Sequence, residues 1–450
     1  MSSTSLKKVA FRGAIWTFVG YGLSQALRFG SNLILTRLLF PEVFGLMALV
    51  YVFITGLNLF SDIGIRPSII QNPRGDDPVF LNTAWTLQVV RGIGLWLGCL
   101  ILAFPVSQIY DEPKLVWLLP VVGLTTIIQG FNSTSLATLS RHVEVGKITI
   151  FQLGVQVIAL AVTIIYAYFQ QSIWALVIGN LLSSLFQMII SHRLNLLVTN
   201  RFAWDKTAIH EITLFGRWIF LNTAMMFLAQ QSDRLILGKL LSLEMLGVYT
   251  IAFSLSDIPR QAVKRLSSNV IFPVLSKNAA LPRSNLREKI LKPRRQLLLM
   301  ATLVLAVMTV FGDLVVLALY DDRYAQAALF FPILSLGLWP RILFNTISPS
   351  LKAIGEPRYD AYGSVLRLIF ISLGLPIAFA QTGVIGAVFI IAISDIFNYI
   401  AVVYGLWRTK LLCLVQDLQA TVLFVCWLML FLLIRFVTGL ELPLANAFPQ

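Results

Sequence analysis

The sequence predicts an all-α polytopic membrane protein: two six-helix bundles plus one extra C-terminal helix. Three observations predict it. Apolar residues make up 57% of the 450 residues and charged residues only 12%, about half the charged share of an ordinary soluble domain. The apolar residues gather into runs of the roughly 20 residues that a helix needs to cross a bilayer. The basic residues, which leave a net charge of +14, gather in the links on one side of those runs. This composition excludes a disordered chain, a coiled coil and a secreted disulfide scaffold. It also leaves too little polar sequence to cover the surface of soluble domains.

In order, the expected crossings are 11–37, 42–66, 80–104, 114–138, 146–169, 172–191, 213–238, 244–274, 295–320, 326–351, 358–381, 383–407 and 413–437, thirteen in all. Lys7, Lys8 and Arg12 precede a first run too long for a cleavable leader, so that run is expected to stay as an anchor. Turn signals such as Asp76-Asp77-Pro78, Asp111-Glu112-Pro113 and Gly355-Glu356-Pro357 separate later runs. In the eighth crossing, the apolar part from Met245 to Ile258 is too short to cross. It must continue through Pro259, with a kink there, which carries Arg260, Lys264 and Arg265 into the membrane. Cys99, Cys413 and Cys426 fall inside runs and read as small buried residues. His142, His192 and His210 show no metal-ligand spacing.

With the N-terminus placed in the cytoplasm, 21 of the 35 basic residues fall in cytoplasmic segments, Arg294 among them. Four fall outside: Arg37, Lys114, Lys239 and Arg323. This bias supports both the crossings and the orientation. Ten lie within runs: Arg28, Arg91, Arg217, Arg234, Arg260, Lys264, Arg265, Arg341, Arg367 and Arg435. The surplus charge is therefore topological, and no nucleic-acid partner is expected.

A shift of 202 residues aligns Asn32-Leu-Ile-Leu-Thr-Arg-Leu-Leu-Phe-Pro-Glu-Val-Phe-Gly45 with Arg234-Leu-Ile-Leu-Gly-Lys-Leu-Leu-Ser-Leu-Glu-Met-Leu-Gly247. Trp16/Trp218 and Phe18/Phe220 keep the same register. The repeat sets crossings 1 and 2 against 7 and 8, so the two halves share one orientation. The expected organisation is an N-terminal six-helix lobe over 11–192 and a cytoplasmic linker over 193–212. A second six-helix lobe over 213–408 and an additional membrane helix over 413–438 complete it.

An Arg or Lys facing lipid at a helix centre costs about 2.5–3.5 kcal/mol, so the ten must face protein or water, or reach the interface. Tyr21, Gln25, Arg28 and Asn32 recur at helical spacing and form one polar stripe. Arg260 and Lys264 stand one turn apart, and Arg341, Asn345 and Ser348 align. Arg217 and Arg234 admit either a cavity role or an interfacial one, and Arg435 reads as an interface anchor. Arg91 admits a helix–helix contact or a cavity role, and Asp313 has no role in this scheme. Arginine forks suit phosphate oxygens, while amides and hydroxyls suit sugar hydroxyls. The expected substrate-facing residues are Tyr21, Gln25, Arg28, Asn32, Arg217, Arg260, Lys264, Arg341 and Asn345. Asp62, Asp233 and Asp395 are the candidates for ion coupling. There is no G-x-x-x-x-G-K-[ST], H-E-x-x-H or G-x-S-x-G motif, so no cofactor, metal or catalytic residue is expected.

Arg12-Gly-Ala-Ile-Trp16, Leu33-Ile-Leu-Thr-Arg-Leu-Leu-Phe-Pro-Glu-Val-Phe-Gly45, Ser61-Asp-Ile-Gly64, Asp233-Arg-Leu-Ile-Leu-Gly238 and Phe272-Pro-Val-Leu-Ser276 resemble the polysaccharide transporter family. These are the O-antigen and colanic-acid type flippases of the multidrug/oligosaccharidyl-lipid/polysaccharide exporter superfamily. The resemblance runs from about Arg12 to Trp407. It implies a V-shaped pair of lobes in the bacterial inner membrane that translocates undecaprenyl-diphosphate-linked oligosaccharide for surface polysaccharide. It also implies membrane lipids and a polysaccharide polymerase or export complex as partners. The family's usual count is twelve or fourteen crossings, and thirteen departs from both. A cation-coupled exporter of drugs or small solutes is the competing reading. A membrane glycosyltransferase or polymerase fits less well, because the links are too short to hold an acceptor and catalytic carboxylates.

Overall fold

The structure is a computed structural model. It describes the backbone of residues 3–142, 144–194, 199–278 and 281–441, and their side chains except those of 3–15, 214–226, 269–270 and 273–274. All regular structure among the described residues is helical. The chain divides into two compact units, Met1–Ala224 and Met225–Gln450.

The first unit contains α1 (Ser3–Leu38), α2 (Pro41–Phe60), α3 (Ile65–Gln71), α4 (Pro78–Tyr110), α5 (Leu115–Gly130), α6 (Ser135–Arg141), α7 (Val145–Phe169) and α8 (Trp174–Ser191). Proline opens α2 and α4, where its missing N–H costs nothing. Asp77 caps α4 by accepting from the Val79 amide at 3.0 Å. The second expected crossing stops early, at Phe60. There Gly64 turns the chain with φ 67°, and the Asp62 carboxylate accepts the Gly64 amide at 2.9 Å. Arg91 from α4 donates to the carbonyls of Asn58 at 2.6 Å and Ser61 at 2.9 Å, two of the acceptors that a helix end leaves open. Arg91 is thus a helix–helix tie. The fourth expected crossing is likewise broken, with α5 and α6 meeting at 57°. At that break Gln88 donates to the Gly130 and Asn132 carbonyls at 2.9 and 3.0 Å.

α1 rests on α7. Gly20 lies against Thr149, and Ser24 and Gln156 exchange hydrogen bonds of 2.6 and 3.0 Å. Residues 201–205 lie on α4, where Asn82, Thr86 and Thr83 accept the amides of Arg201, Ala203 and Asp205. α9 (Lys206–Leu240) begins in this unit, burying Ala208 and Ile212 against Ile65, Phe80 and Ala137.

The second unit continues α9 and adds α10 (Leu243–Ser256), α11 (Ile258–Leu266), a π-turn (Ser267–Ile271), α12 (Phe272–Lys277), α13 (Arg283–Leu319), α14 (Ala327–Ala353), α15 (Arg358–Arg408) and α16 (Leu414–Val437). The eighth expected crossing is interrupted twice. The first break is at Asp257, with Pro259 in the first turn of α11, and the second is the π-turn. α15 has 51 residues, which as a straight rod would run about 76 Å, far beyond a 30 Å hydrocarbon core. It folds back at Gly383, whose φ of 66° and ψ of −150° suit glycine alone. Its two arms then pack closely, so that a Cβ on Gly363 would meet the Asn398 Cα at 2.8 Å.

α13 and α16 are parallel and tied at both ends. Arg294 near the start of α13 pairs with Asp417 near the start of α16, and Asp313 near the end of α13 pairs with Arg435 near the end of α16. This corrects two expectations. Arg294 is not a cytoplasmic loop cation, because it is fully buried and also donates to Thr346 at 2.9 Å. Arg435 is not an interface anchor, because it is 2% exposed and satisfies Asp313. Cys426 is exposed rather than buried, while Cys99 and Cys413 are buried.

Among the described residues eight helices are long and apolar enough to cross a membrane, or nine if the bent α5–α6 pair counts as one. The chain is a multi-pass membrane protein. α15 holds two of the thirteen expected crossings. α1, α9 and the interrupted α10–α12 segment occupy three more as helix without meeting that length and composition measure. The pairings inside the two units correspond: α4 on α5 and α2 on α5 in the first, α13 on α14 and α10 on α14 in the second.

Candidate functional site

Within the second unit, α9, α10, α11, α14 and α15 enclose a cavity of about 250 Å³. Among the described residues its charged lining is four arginines (Arg234, Arg260, Arg341 and Arg367) and two aspartates (Asp257 and Asp395), which leaves a positive surplus. Gln230, Gln231, Gln261 and Ser256 add amides and a hydroxyl, and Phe253, Leu334, Leu338 and Ile391 give it apolar walls.

The helix breaks place these groups. Asp257 ends α10 and is only 5% exposed at its side chain. Arg260, one turn into α11, grips it bidentately, with one contact of 2.6 Å, and Gln261 adds a 3.0 Å bond. Opposite, one oxygen of Asp395 accepts from Arg341 at 2.8 Å and Asn398 at 3.2 Å, and it pairs electrostatically with the Arg367 guanidinium at 3.0 Å. Two guanidiniums on one carboxylate leave one positive charge uncompensated there. Arg367 is held further by Ser394 at 3.2 Å and by the Ala229 carbonyl, which fixes α9 to α15. Arg234 lies over the Phe253 ring at 5.1 Å and bonds Gln231 at 3.2 Å. The Nε groups of Arg234 and Arg341 are buried with no hydrogen-bond partner among the described residues. A guanidinium has five donors, so these side chains keep donor capacity for an anion.

The structure brings three of the expected residues together here: Arg260, Arg341 and Asp395. Lys264 and Asn345 do not line the cavity. Lys264 is exposed and Asn345 is buried on α14. Asp233 is buried behind it, accepting the Tyr249 hydroxyl at 2.7 Å, with its other oxygen lacking a partner among the described residues. In the first unit, Arg28 on α1 is exposed, while Tyr21, Gln25 and Asn32 are half-buried beside the face that meets α7. Asp62 serves the turn at Gly64. The Arg217 side chain lies outside the described residues, as do those of Trp218 and Asn222. Asp257 was missed by sequence reasoning, although its spacing of three to Arg260 and four to Gln261 is the signal of a one-turn cluster.

A family model described as polysaccharide biosynthesis protein matches residues 34–329. The chain is similar to the lipopolysaccharide biosynthesis protein WzxC of Escherichia coli, 21% identical over 61% of this chain and 56% of that protein. It is also similar to the succinoglycan biosynthesis transport protein ExoT of Rhizobium meliloti, 20% identical over 82% of this chain and 74% of that one. A third relative, the teichuronic acid biosynthesis protein TuaB of Bacillus subtilis, is 21% identical over 75% of this chain and 70% of its own. The chain thus spans little more than half of WzxC and about three quarters of ExoT. Among solved structures, the lipid II flippase MurJ in an inward closed conformation superposes with a TM-score of 0.72. It is 12% identical and covers 96% of this chain and 93% of its own. An inward-facing multidrug resistance MATE family transporter of the MOP superfamily superposes at 0.63, 15% identical, covering 85% of this chain and 94% of its own. The fold is therefore that of these transporters, and the chain belongs to the polysaccharide biosynthesis protein family.

Proposed function

We propose that this protein is a flippase that moves undecaprenyl-diphosphate-linked oligosaccharide units across the bacterial inner membrane for surface polysaccharide assembly. The observation that carries the reading is the arginine-rich cavity of the second unit, in a chain of this family. A diphosphate bridge carries negative charge on each phosphoryl group, and the surplus arginines with spare donors match it. The glutamines and Ser256 suit sugar hydroxyls. The substrate chemistry follows the relatives, whose names place them in lipopolysaccharide, succinoglycan and teichuronic acid biosynthesis.

In this reading Arg260 and Arg341 contact the diphosphate, with Arg234 and Arg367 added to the expected set. Arg28 and its stripe, Arg217, Lys264 and Asn345 serve the same path at other stages. The N-terminus is cytoplasmic, as the basic bias of the links supports. The lobes are 11–192 and 213–408, joined by 193–212, with 413–438 outside the repeat. A polymerase or export complex receives the product.

Ion coupling falls to Asp233, with Asp62 a second candidate. Asp395 is poorly suited, since Arg341 and Arg367 already neutralise it. The buried, half-satisfied Asp233 is also the feature that favours the second reading, a cation-coupled exporter of small solutes.

The test uses bacteria lacking their own flippase for a matching repeat unit. Expression of this chain restores surface polysaccharide, and Arg341→Gln inserts normally but does not restore it. Full restoration by the variant overturns the assignment.

A further inference from the structure

A second concave site lies apart from the cavity. Arg287 on α13, Trp407 and Arg408 at the end of α15, and Lys410 and Leu412 in the link to α16 enclose about 520 Å³. Three cations converge there, and among the described residues no carboxylate lines it. The neighbouring Glu288 is taken by Lys292 at 3.1 Å. Like charges this close repel one another in an empty site, so the arrangement is complementary to an anion.

The backbone places one of the three at a cost. Lys410 has φ 60°, the left-handed conformation that glycine normally supplies after a helix. The closing bonds are in place: the Lys410 amide donates to the Trp407 carbonyl at 3.2 Å, and the Leu411 amide to the Leu406 carbonyl at 2.8 Å. A lysine stands where glycine would relieve strain, and its charge points to the reason.

Depth identifies the ligand. Arg294 and Asp313 mark the buried pairs at the two ends of α13, 19 residues and about 28 Å apart, close to the thickness of the hydrocarbon core. Arg287 lies seven residues before Arg294, about 10 Å further out, at the level of lipid headgroups. Trp407 is 60% exposed, as suits a side chain at the membrane–water boundary. The same end of this unit carries Lys277, Arg283, Lys289, Lys292, Arg295, Lys352 and Arg358, which marks the cytoplasmic side.

We propose that Arg287, Arg408 and Lys410, with Trp407 beside them, form a headgroup site for an anionic phospholipid of the cytoplasmic leaflet, distinct from the transported molecule. Basic pockets between membrane helices on this side are suited to phosphodiester headgroups.

The test places the full-length protein in nanodiscs of phosphatidylcholine with and without phosphatidylglycerol, and counts retained lipid by native mass spectrometry. Wild type retains phosphatidylglycerol in preference to phosphatidylcholine. Each cation removed weakens retention about five-fold, and the variant Arg287→Gln/Arg408→Gln/Lys410→Gln weakens it about a hundred-fold. Lys410→Gly separates binding from folding: it loses retention about five-fold, while its unfolding temperature in pure phosphatidylcholine holds or rises. Equal retention by wild type and the triple variant overturns the site. Inorganic phosphate in phosphatidylcholine nanodiscs is the second arm. If it raises the wild-type unfolding temperature as much as phosphatidylglycerol does, the ligand is a free anion and the lipid assignment fails.

Discussion

Arg435 of α16 and Asp313 of α13 form an ion pair of 2.6 Å at which the arginine is 2% exposed and the aspartate 12%. At the opposite end of the same two helices the polarity reverses, with arginine on α13 (Arg294) and aspartate on α16 (Asp417). Tyr399 adds a 2.9 Å bond to Asp417. Removing one member of a buried pair strands the other charge and costs about 3–5 kcal/mol. Asp313→Ala and Arg435→Ala are each expected to lower the unfolding temperature in detergent strongly. The double substitution Asp313→Leu/Arg435→Met recovers most of the loss, because no charge is then stranded. Additive losses in the double variant would contradict this.

The turn at Gly383 makes a different prediction. Its φ of 66° is open to glycine without strain and closed to alanine. Gly383→Ala is expected to destabilise the second unit by about 1–3 kcal/mol, read as a drop in unfolding temperature. Gly94→Ala, in the interior of α4 with open space at its Cβ position, is expected to stabilise slightly.

Arg91 satisfies the Asn58 and Ser61 carbonyls at the end of α2. Arg91→Leu leaves the Asn58 and Ser61 carbonyls without this donor. The Asn58 carbonyl keeps the Ser61 hydroxyl at 3.3 Å, so the half-buried Ser61 carbonyl is the group left open, at about 1 kcal/mol. The expected signature is lowered stability with transport per folded molecule retained. Loss of transport at normal stability would return Arg91 to the translocation path.

Outside the membrane, Arg74 binds Asp77 at 2.9 Å and Asp205 at 3.1 Å. The Val79 amide, then Arg74, holds Asp77 below the ordinary carboxylate value, and the Thr207 amide, then Arg74, does the same for Asp205. A depressed folded value means stability that is fully present above the ordinary value of 3.8 and lost as pH falls through the folded one. These groups are solvated, so the effect is small. Asp205→Asn is expected to flatten the acid limb of unfolding temperature against pH and to leave the neutral region almost unchanged. An unaltered acid limb would contradict this.

Hydropathy made most helices legible, and the split of 358–407 before Gly383 is one that any bilayer-sized helix demands. Interruptions were harder to see. The breaks after Phe60 and Gly130 are short polar stretches, Ser61-Asp62 and Asn132-Ser133-Thr134-Ser135, inside longer apolar runs, and they are held by Arg91 and Gln88 from α4, far away in the chain. Charge tallies misplaced Arg294 because its neighbours Lys292 and Arg295 read as loop. Its partner Asp417 is 123 residues distant. One signal was present: arginine to aspartate spans 19 residues on α13, and aspartate to arginine 18 on α16, as two parallel helices with reversed charges require. In the candidate site, Arg260, Arg341 and Asp395 were legible as polar residues in apolar runs. The pairing of Asp395 with both Arg341 and Arg367 was not, since it joins different helices.

The arginines of the second unit are proposed to bind the diphosphate of a lipid-linked oligosaccharide during translocation. The most direct measurement is flipping by purified protein in proteoliposomes, using a fluorescent oligosaccharide on polyprenyl diphosphate and a membrane-impermeant quencher. Wild type is predicted to flip it, and Arg341→Gln to slow it about ten- to hundred-fold, the loss of one or two charge-assisted hydrogen bonds. Equal rates for wild type and Arg341→Gln, or transport of a cationic drug with no flipping of the lipid, would contradict the claim.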